Sequence, residues 1–218
     1  MFRTKITHLA LYTAIRDRSG TYWFGSENGV YCGSSFGRST AFLPHKIEKR
    51  ITTVFEDSRG WLWLGGMGGV YVLDTDRQLT MHFNAGSIAS AQDVRSFYED
   101  PTGKIWIGTY GAGLFCYHKG KLTALKDMDH YHLGNDIFTL ARDKNGYILM
   151  SSNNGILAVH ETALDNFLKG LSSVLIPLYI GEHTGIFNAE FNGGFYNNFA
   201  SEGDSIFYFP SIQGYVRY

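Results

Sequence analysis

The chain has 218 residues, 44% of them hydrophobic and 16% aromatic, with 26 glycines, 4 prolines and a formal net charge of −1. That is strand-and-turn composition with enough aromatic bulk to fill the space between stacked sheets. The small, scattered charge excludes the basic stripe of a nucleic-acid binder, and no run of 18 apolar residues offers a transmembrane helix.

In chain order, residues 2–6 read as an isolated outer strand, and the start lacks the apolar core of a signal peptide. The expectation from that start is a cytoplasmic protein or a piece of something longer. A motif D-x-x-G-x-x-W-x-G then recurs. It reads Asp17-Arg-Ser-Gly20-Thr-Tyr-Trp23-Phe-Gly25, Asp57-Ser-Arg-Gly60-Trp-Leu-Trp63-Leu-Gly65 and Asp100-Pro-Thr-Gly103-Lys-Ile-Trp106-Ile-Gly108. A worn copy follows at Asp143-Lys-Asn-Gly146-Tyr-Ile-Leu149-Met-Ser151, and a looser fifth runs from Gly203 to Gly214 with Tyr208 in the tryptophan slot. The aspartates lie 40, 43 and 43 residues apart, the period of one four-stranded propeller blade. The sequence thus predicts an all-β fold, a β-propeller of four-stranded blades in a single domain over 1–218. Its blades fall at about 8–43, 51–83, 93–125, 136–179 and 189–218.

Within the third copy, alternation and turn residues place strands at 93–99, 104–108, 114–117 and 121–125; the second copy gives 51–56, 61–65, 70–73 and 79–83. The fifth gives strands at 195–200, 205–209 and 215–218. Residues 160–169 have helical spacing, with Thr162 a candidate cap and Asp165 three residues on. An outer strand is expected at 174–179. Cys32 and Cys116 hold the same register in the first and third repeats, too far apart for a disulfide. Five blades need one more outer strand than the fifth repeat supplies. Residues 2–6 would complete that blade and close the ring, and deleting residues 1–7 would then sharply lower the melting point. The alternative is an open arc, part of a seven-bladed propeller, that assembles with another copy.

Thr13, Thr53, Ser96 and Thr139 align at one inner-strand position. A channel lining of hydroxyls is one reading; small residues where inner strands crowd is the simpler one. Each repeated aspartate precedes a tight turn ending in Gly, so a turn-holding role outweighs metal or acid chemistry. The tryptophans read as inter-blade packing before a sugar platform.

These repeats resemble the two-component-regulator propeller repeats of bacterial sensory receptors. The stretch Gly185-Ile-Phe-Asn188-Ala-Glu190-Phe-Asn192-Gly193-Gly194 is similar to the N-x-E-x-N-G-G segment before that family's last blade, and the helix after the fourth repeat matches its layout. The resemblance implies the C-terminal portion of a periplasmic sensor region in a membrane-anchored receptor, a non-catalytic module that binds a carbohydrate or other small ligand. It carries over residue by residue only at Asn188, Glu190, Asn192, Gly193 and Gly194, where turn formation competes with ligand contact.

Loops entering the inner strands gather at one mouth of a propeller and carry its ligand contacts. The expected ligand-binding residues are Arg50, Arg95, His132, Asn135, Asp136, Asn188, Glu190 and Asn192. No catalytic residue, metal, cofactor, nucleic-acid partner or membrane contact is expected of this segment. The His130-x-His132 pair beside Asp127 and Asp129 finds no second cluster to complete a ligand set. No G-x-S-x-G, phosphate loop or H-E-x-x-H occurs. Two alternatives stay open: a protein-interaction scaffold, and a propeller lyase or glycosidase using Glu190 with His132 or His183.

Overall fold

The computed structural model describes residues 10–34, 39–42, 47–84, 93–125, 136–186, 189–193 and 199–218. The architecture is the expected all-β one: five small antiparallel sheets, each a propeller blade in which consecutive strands are hydrogen-bonded neighbours. The chain divides into two compact units, Met1–Val94 and Arg95–Tyr218.

The first unit holds β1 (Leu11–Arg16), β2 (Tyr22–Ser26), β3 (Gly29–Gly33) and β4 (Ser39–Phe42), then β5 (Ile51–Glu56), β6 (Leu62–Gly66), β7 (Gly69–Leu73) and β8 (Leu79–Phe83). Its core joins Trp23, Val30, Ile51, Val54, Leu64 and Leu73 across the two sheets. β9 (Asp93–Glu99) opens the third sheet, which continues with β10 (Ile105–Tyr110), β11 (Leu114–His118) and β12 (Lys121–Leu125). The fourth comprises β13 (Thr139–Arg142), β14 (Tyr147–Ser152), β15 (Gly155–His160) and β16 (Leu178–Ile180). The fifth has three strands among the described residues, β17 (Ala200–Glu202), β18 (Ile206–Ser211) and β19 (Gly214–Arg217). Residues 2–6, expected to add a fourth strand there, lie outside the described residues.

The repeat motif works as a local clamp. One carboxylate oxygen, Oδ1, accepts turn amides: those of Arg59 and Trp61 at Asp57 (2.9 and 3.0 Å), and of Asn145 and Tyr147 at Asp143 (2.9 and 2.8 Å). The turn's glycine adopts a left-handed φ, +81° at Gly60 and +85° at Gly146, which a side chain would strain. The other oxygen, Oδ2, accepts the indole N–H six residues on: Trp23 to Asp17 at 2.8 Å, Trp63 to Asp57 at 3.0 Å, Trp106 to Asp100 at 3.1 Å. The structural reading of the aspartates and tryptophans thus holds at every full copy. A cation completes each clamp. Arg77 reaches Asp17 (2.8 Å) and the Gly60 carbonyl (2.9 Å), Arg59 grips Asp57, and Lys104 sits 3.4 Å from Asp100.

In the worn fourth copy Leu149 cannot donate. Tyr218 supplies the missing bond, its hydroxyl donating to Asp143 Oδ2 at 3.2 Å. The fifth copy keeps the six-residue spacing with other groups, as the Tyr208 hydroxyl donates to Glu202 at 2.6 Å. Tyr218→Phe should therefore lower stability by about 1 kcal/mol, the net worth of one half-buried hydrogen bond to a charge, read by chemical denaturation. A change within error would mean that water replaces the hydroxyl at no cost.

Burial pushes the Asp17 carboxyl up, but bonds from the Ser19 hydroxyl, the Trp23 indole and the Thr21 amide outweigh it and hold the group below its ordinary value. Asp100 is likewise lowered: burial opposes, while the Thr102 hydroxyl, the Lys104 amide and the Trp106 indole prevail. A carboxyl depressed on folding stabilises fully above its unfolded pKa of about 4, and that stability is lost as pH falls through the lower folded value. The melting temperature should thus be flat from neutral pH to about pH 5 and drop below about pH 4; a drop beginning near pH 6 would contradict this.

The helix α1 (Glu161–Leu168) appears where expected, but His160 caps it, its Nδ1 accepting the Thr162 amide at 3.2 Å. Thr162 is inside the first turn and cannot cap. Leu164 is buried against the third sheet's Trp106, Leu114, Cys116 and Leu125. The outer strand begins at Leu178, not at 174, because Pro177 has no N–H to pair and Leu175 turns into the core under α1. The fifth sheet's first strand runs from Ala200 where 195–200 was expected; residues 195–198 lie outside the described set. Both cysteines are free thiols, and burial pushes the Cys116 thiol up to about 12. Cys32 pairs across from Trp23 and Cys116 across from Trp106, the shared register read from the sequence.

Candidate functional site

In the first unit, the residues around Arg50 form an ionic knot. Arg50 donates to Asp93 Oδ2 at 2.8 Å, and the Thr52 hydroxyl lies 3.1 Å from Asp93 Oδ1. The Arg50 guanidinium stands over the Tyr12 ring at 5.8 Å, and the Tyr12 hydroxyl donates to Glu27 at 2.5 Å. Asp93 is buried, so Arg50 is committed to it and its remaining surface is a half-exposed edge. This arrangement orders the entry to β5 and leaves Tyr12 and Glu27 as the outward-facing polar groups.

The second unit assembles a larger network. Arg95, on β9, donates to the Gly193 carbonyl at 3.0 Å and lies over the Tyr110 ring at 5.5 Å. Tyr110 stacks on Phe138, centroids 6.3 Å apart and planes 15° from parallel. The next residue, Gly111, donates its amide to Asp136 Oδ1 at 2.9 Å, and Asp136 Oδ2 accepts from Asn153 at 2.8 Å. Arg95, Asp136 and the 189–193 segment, far apart in sequence, are thereby joined through the single dipeptide Tyr110-Gly111.

The segment 189–193 is an extended wedge. Ala189 and Phe191 are buried, while Glu190 and Asn192 face solvent. Phe191 bridges to Ser211 and meets Phe209 edge-on at 6.2 Å. Main-chain bonds from Phe191 to Ser152 (3.2 Å), Asn192 to Pro210 (3.0 Å) and Ile212 to Glu190 (3.3 Å) fix it between two sheets. The Asn192 amide side chain donates to the Ser211 carbonyl at 3.3 Å, beside a cavity of about 550 Å³ that Ser211 lines with Thr184, Gln213, Tyr215 and Arg217. Gly193 needs no unusual φ. It is glycine because a Cβ there would collide with the Phe138 ring, so close approach, not the strained turn the sequence suggested, explains that position.

Of the expected ligand residues, Arg95, Asp136 and Asn192 belong to one connected region, Glu190 stands exposed on its wedge, and Arg50 belongs to the separate knot of the first unit. His132, Asn135 and Asn188 lie outside the described residues, as does the His130–His132 loop. Sequence reasoning missed Tyr110, Phe138 and Asn153. Tyr110 stands two residues beyond the last motif glycine of its repeat, a place it could have drawn attention to as the only aromatic there.

The inner-strand hydroxyls hold their predicted register. Thr13 pairs across from Gly25, Thr53 from Gly65 and Thr139 from Ser151, which occupies the glycine slot of the worn repeat. Thr13, Thr53, Ser96, Thr139 and Ser151 are buried, and their hydroxyls meet no protein partner. These hydroxyl residues leave no room opposite them: a Cβ on Gly108 would strike the Ser96 Oγ, and one on Gly25 the Thr13 methyl, which is why the motif glycine stands there.

The described residues of the network provide a guanidinium, a ring face, amides and a carboxylate, the groups that orient a polar ligand. They bring no nucleophile against a base.

The two component regulator propeller family matches residues 46–68 and 89–111. No curated protein sequence matches the chain. Among solved structures, the extracellular domain assigned to hybrid two component system BT3049 of B. thetaiotaomicron superposes with a TM-score of 0.75 at 21% identity, covering 96% of this chain and 27% of that one. The corresponding domain of BT4673 from the same organism gives 0.69 at 20%, covering 96% and 29%. A catalytically inactive virginiamycin B lyase from Staphylococcus aureus, with quinupristin, gives 0.69 at 12%, covering all of this chain and 73% of the lyase. At these identities the likeness is one of fold, and the chain spans less than a third of the two extracellular domains.

Proposed function

From a chain that carries two component regulator propeller repeats, we propose a non-catalytic ligand-sensing module of a bacterial signal-transduction receptor, working outside the cytoplasm. Its ligand is a carbohydrate or another small polar molecule. The observation that carries this reading is the network of Arg95, Tyr110, Asp136 and the 189–193 wedge. A guanidinium lying over a half-buried tyrosine ring, beside tied amides and a carboxylate, suits a hydroxyl-rich ligand that bonds to these polar groups at its rim. Two extracellular domains of similar fold, from proteins described as hybrid two component systems, support the assignment, and no helix among the described residues is long and apolar enough to cross a membrane.

A thermal-shift screen against mono- and oligosaccharides tests it. A ligand at a hundredfold above its dissociation constant adds about 2.7 kcal/mol of stability. Arg95→Ala should abolish the shift while the protein stays folded; a shift that survives the substitution places the ligand elsewhere. The lyase of similar fold keeps an enzymatic reading in view. Turnover of a polysaccharide pool by the wild type but not by Glu190→Gln would establish that reading and displace the sensor. A folded protein with no hit and a stable protein partner would favour a scaffold.

A further inference from the structure

On the outer side of the third sheet lies a second polar cavity, of about 520 Å³, which the Arg95 network does not use. Its walls are the β11–β12 hairpin, the turn before β10 and the C-terminal end of α1. Thr102, Lys104, Lys119, Lys121, Thr123 and Lys169 line it, with Asp165 as the one acidic side chain of the lining. Four of the chain's nine lysines therefore converge here, in a protein whose net charge is −1.

These lysines are not alike. Lys104 is buried, its ammonium 3.4 Å from Asp100 and 3.0 Å from Asp165, so the two carboxylates are spent on it and on holding α1 to the sheet. Lys169 reaches Asp165 only at 3.9 Å and is mostly exposed. Lys119 and Lys121 have no carboxylate partner among the described residues. The hairpin turn presents them, with Lys119 at φ +48° and Gly120 at +83° between the paired residues His118 and Lys121. Folding has thus placed uncompensated ammonium groups around a concavity that also offers threonine hydroxyls. Charges of one sign on low-dielectric walls concentrate counter-ions, and lysine serves an oxyanion as a point charge with rotatable donors.

We propose that this cavity is an oxyanion-binding site for a phosphate or sulfate group, free or carried on a sugar-sized body. Lys119, Lys121 and Lys169 supply the charge, and Thr123 supplies a neutral donor. Lys104 and Asp165 form the floor. The volume lies within the range of small-molecule sites and exceeds what a bare tetrahedral anion fills. The site stands independently of the ligand-sensing reading above.

Isothermal titration at fixed ionic strength tests it, with inorganic phosphate and glucose 6-phosphate as probes. The wild type should bind at least one, with affinity falling as sodium chloride is raised. The double variant Lys119→Gln, Lys121→Gln should bind at least tenfold more weakly with an unchanged melting temperature, while Arg95→Ala binds inorganic phosphate as the wild type does. Tighter binding of the sugar phosphate would place a sugar in the remaining volume; equal binding would make the anion alone the ligand. Absence of binding by both probes overturns the proposal, as does binding that the double variant retains. Loss on Arg95→Ala alone would move the anion to the other site and overturn it too.

Discussion

Asp57→Ala is expected to cost about 4 kcal/mol of folding stability, near the top of the range for a single substitution. The carboxylate is fully buried and accepts the Trp63 indole, the amides of Arg59 and Trp61 and the Arg59 guanidinium. Alanine takes the acceptor from the buried indole and the two turn amides, while the half-exposed Arg59 guanidinium turns to water, and each stranded buried donor costs about 1–3 kcal/mol before local relaxation. Urea denaturation followed by tryptophan fluorescence measures the loss. Asp57→Asn, which keeps the Oδ1 acceptor and forfeits the charge, should fall between the two. A loss below about 1.5 kcal/mol for alanine would show that water enters the turn and takes over the carboxylate's bonds.

Gly193→Ala is the second large effect, because it strikes stability and the candidate site together. The new methyl group meets the Phe138 ring, which is 5% exposed and stacked on Tyr110, so it has nowhere to swing. Overpacking of this kind costs about 1–3 kcal/mol. It also shifts the carbonyl that receives Arg95, so any ligand response should weaken in parallel. Pairing the substitution with Phe138→Leu relieves the collision, and the double variant should recover part of the stability, a coupling visible in a double-mutant cycle. If Gly193→Ala is as stable as the wild type, the close approach of the wedge to Phe138 is not a constraint on this fold.

The fold was legible because each blade repeats a complete local device. Asp, Gly and Trp at fixed spacing specify a turn, a left-handed φ and a buried indole bond, all within nine residues, and no distant information is needed. The same locality explains what escaped. Tyr218 stands in for the tryptophan missing at Leu149 from 75 residues downstream of its aspartate, a separation that no motif spacing reveals. The His160 cap was hidden because histidine is a rare capping residue beside a threonine of better propensity. Among the site residues, Arg95 and Asp136 were found by their position in inner-strand loops, and Asn192 by the terminal segment. Tyr110, Phe138 and Asn153 were not. Their role arises from a stack and an amide contact between separate strands, and neither leaves a periodic trace. Arg50 was chosen by the same loop rule, which does not foresee a neighbouring buried carboxylate such as Asp93 claiming the guanidinium.

The Tyr218–Asp143 bond bears on the order in which the chain matures. Trp23, Trp63 and Trp106 reach their aspartates across six residues, so those three turns can lock as soon as their own hairpins emerge. Asp143 must wait for the last strand, and closing a loop of that length carries an entropic delay that the local copies avoid. During synthesis the fourth blade would therefore hold its turn through Asp143 Oδ1 alone, with Oδ2 lacking its Tyr218 donor until the chain end docks. Pulsed hydrogen exchange during refolding at the Tyr218 amide, which donates to the Phe207 carbonyl at 2.8 Å, should report that docking, while the local Arg59 and Trp61 amides are protected earlier.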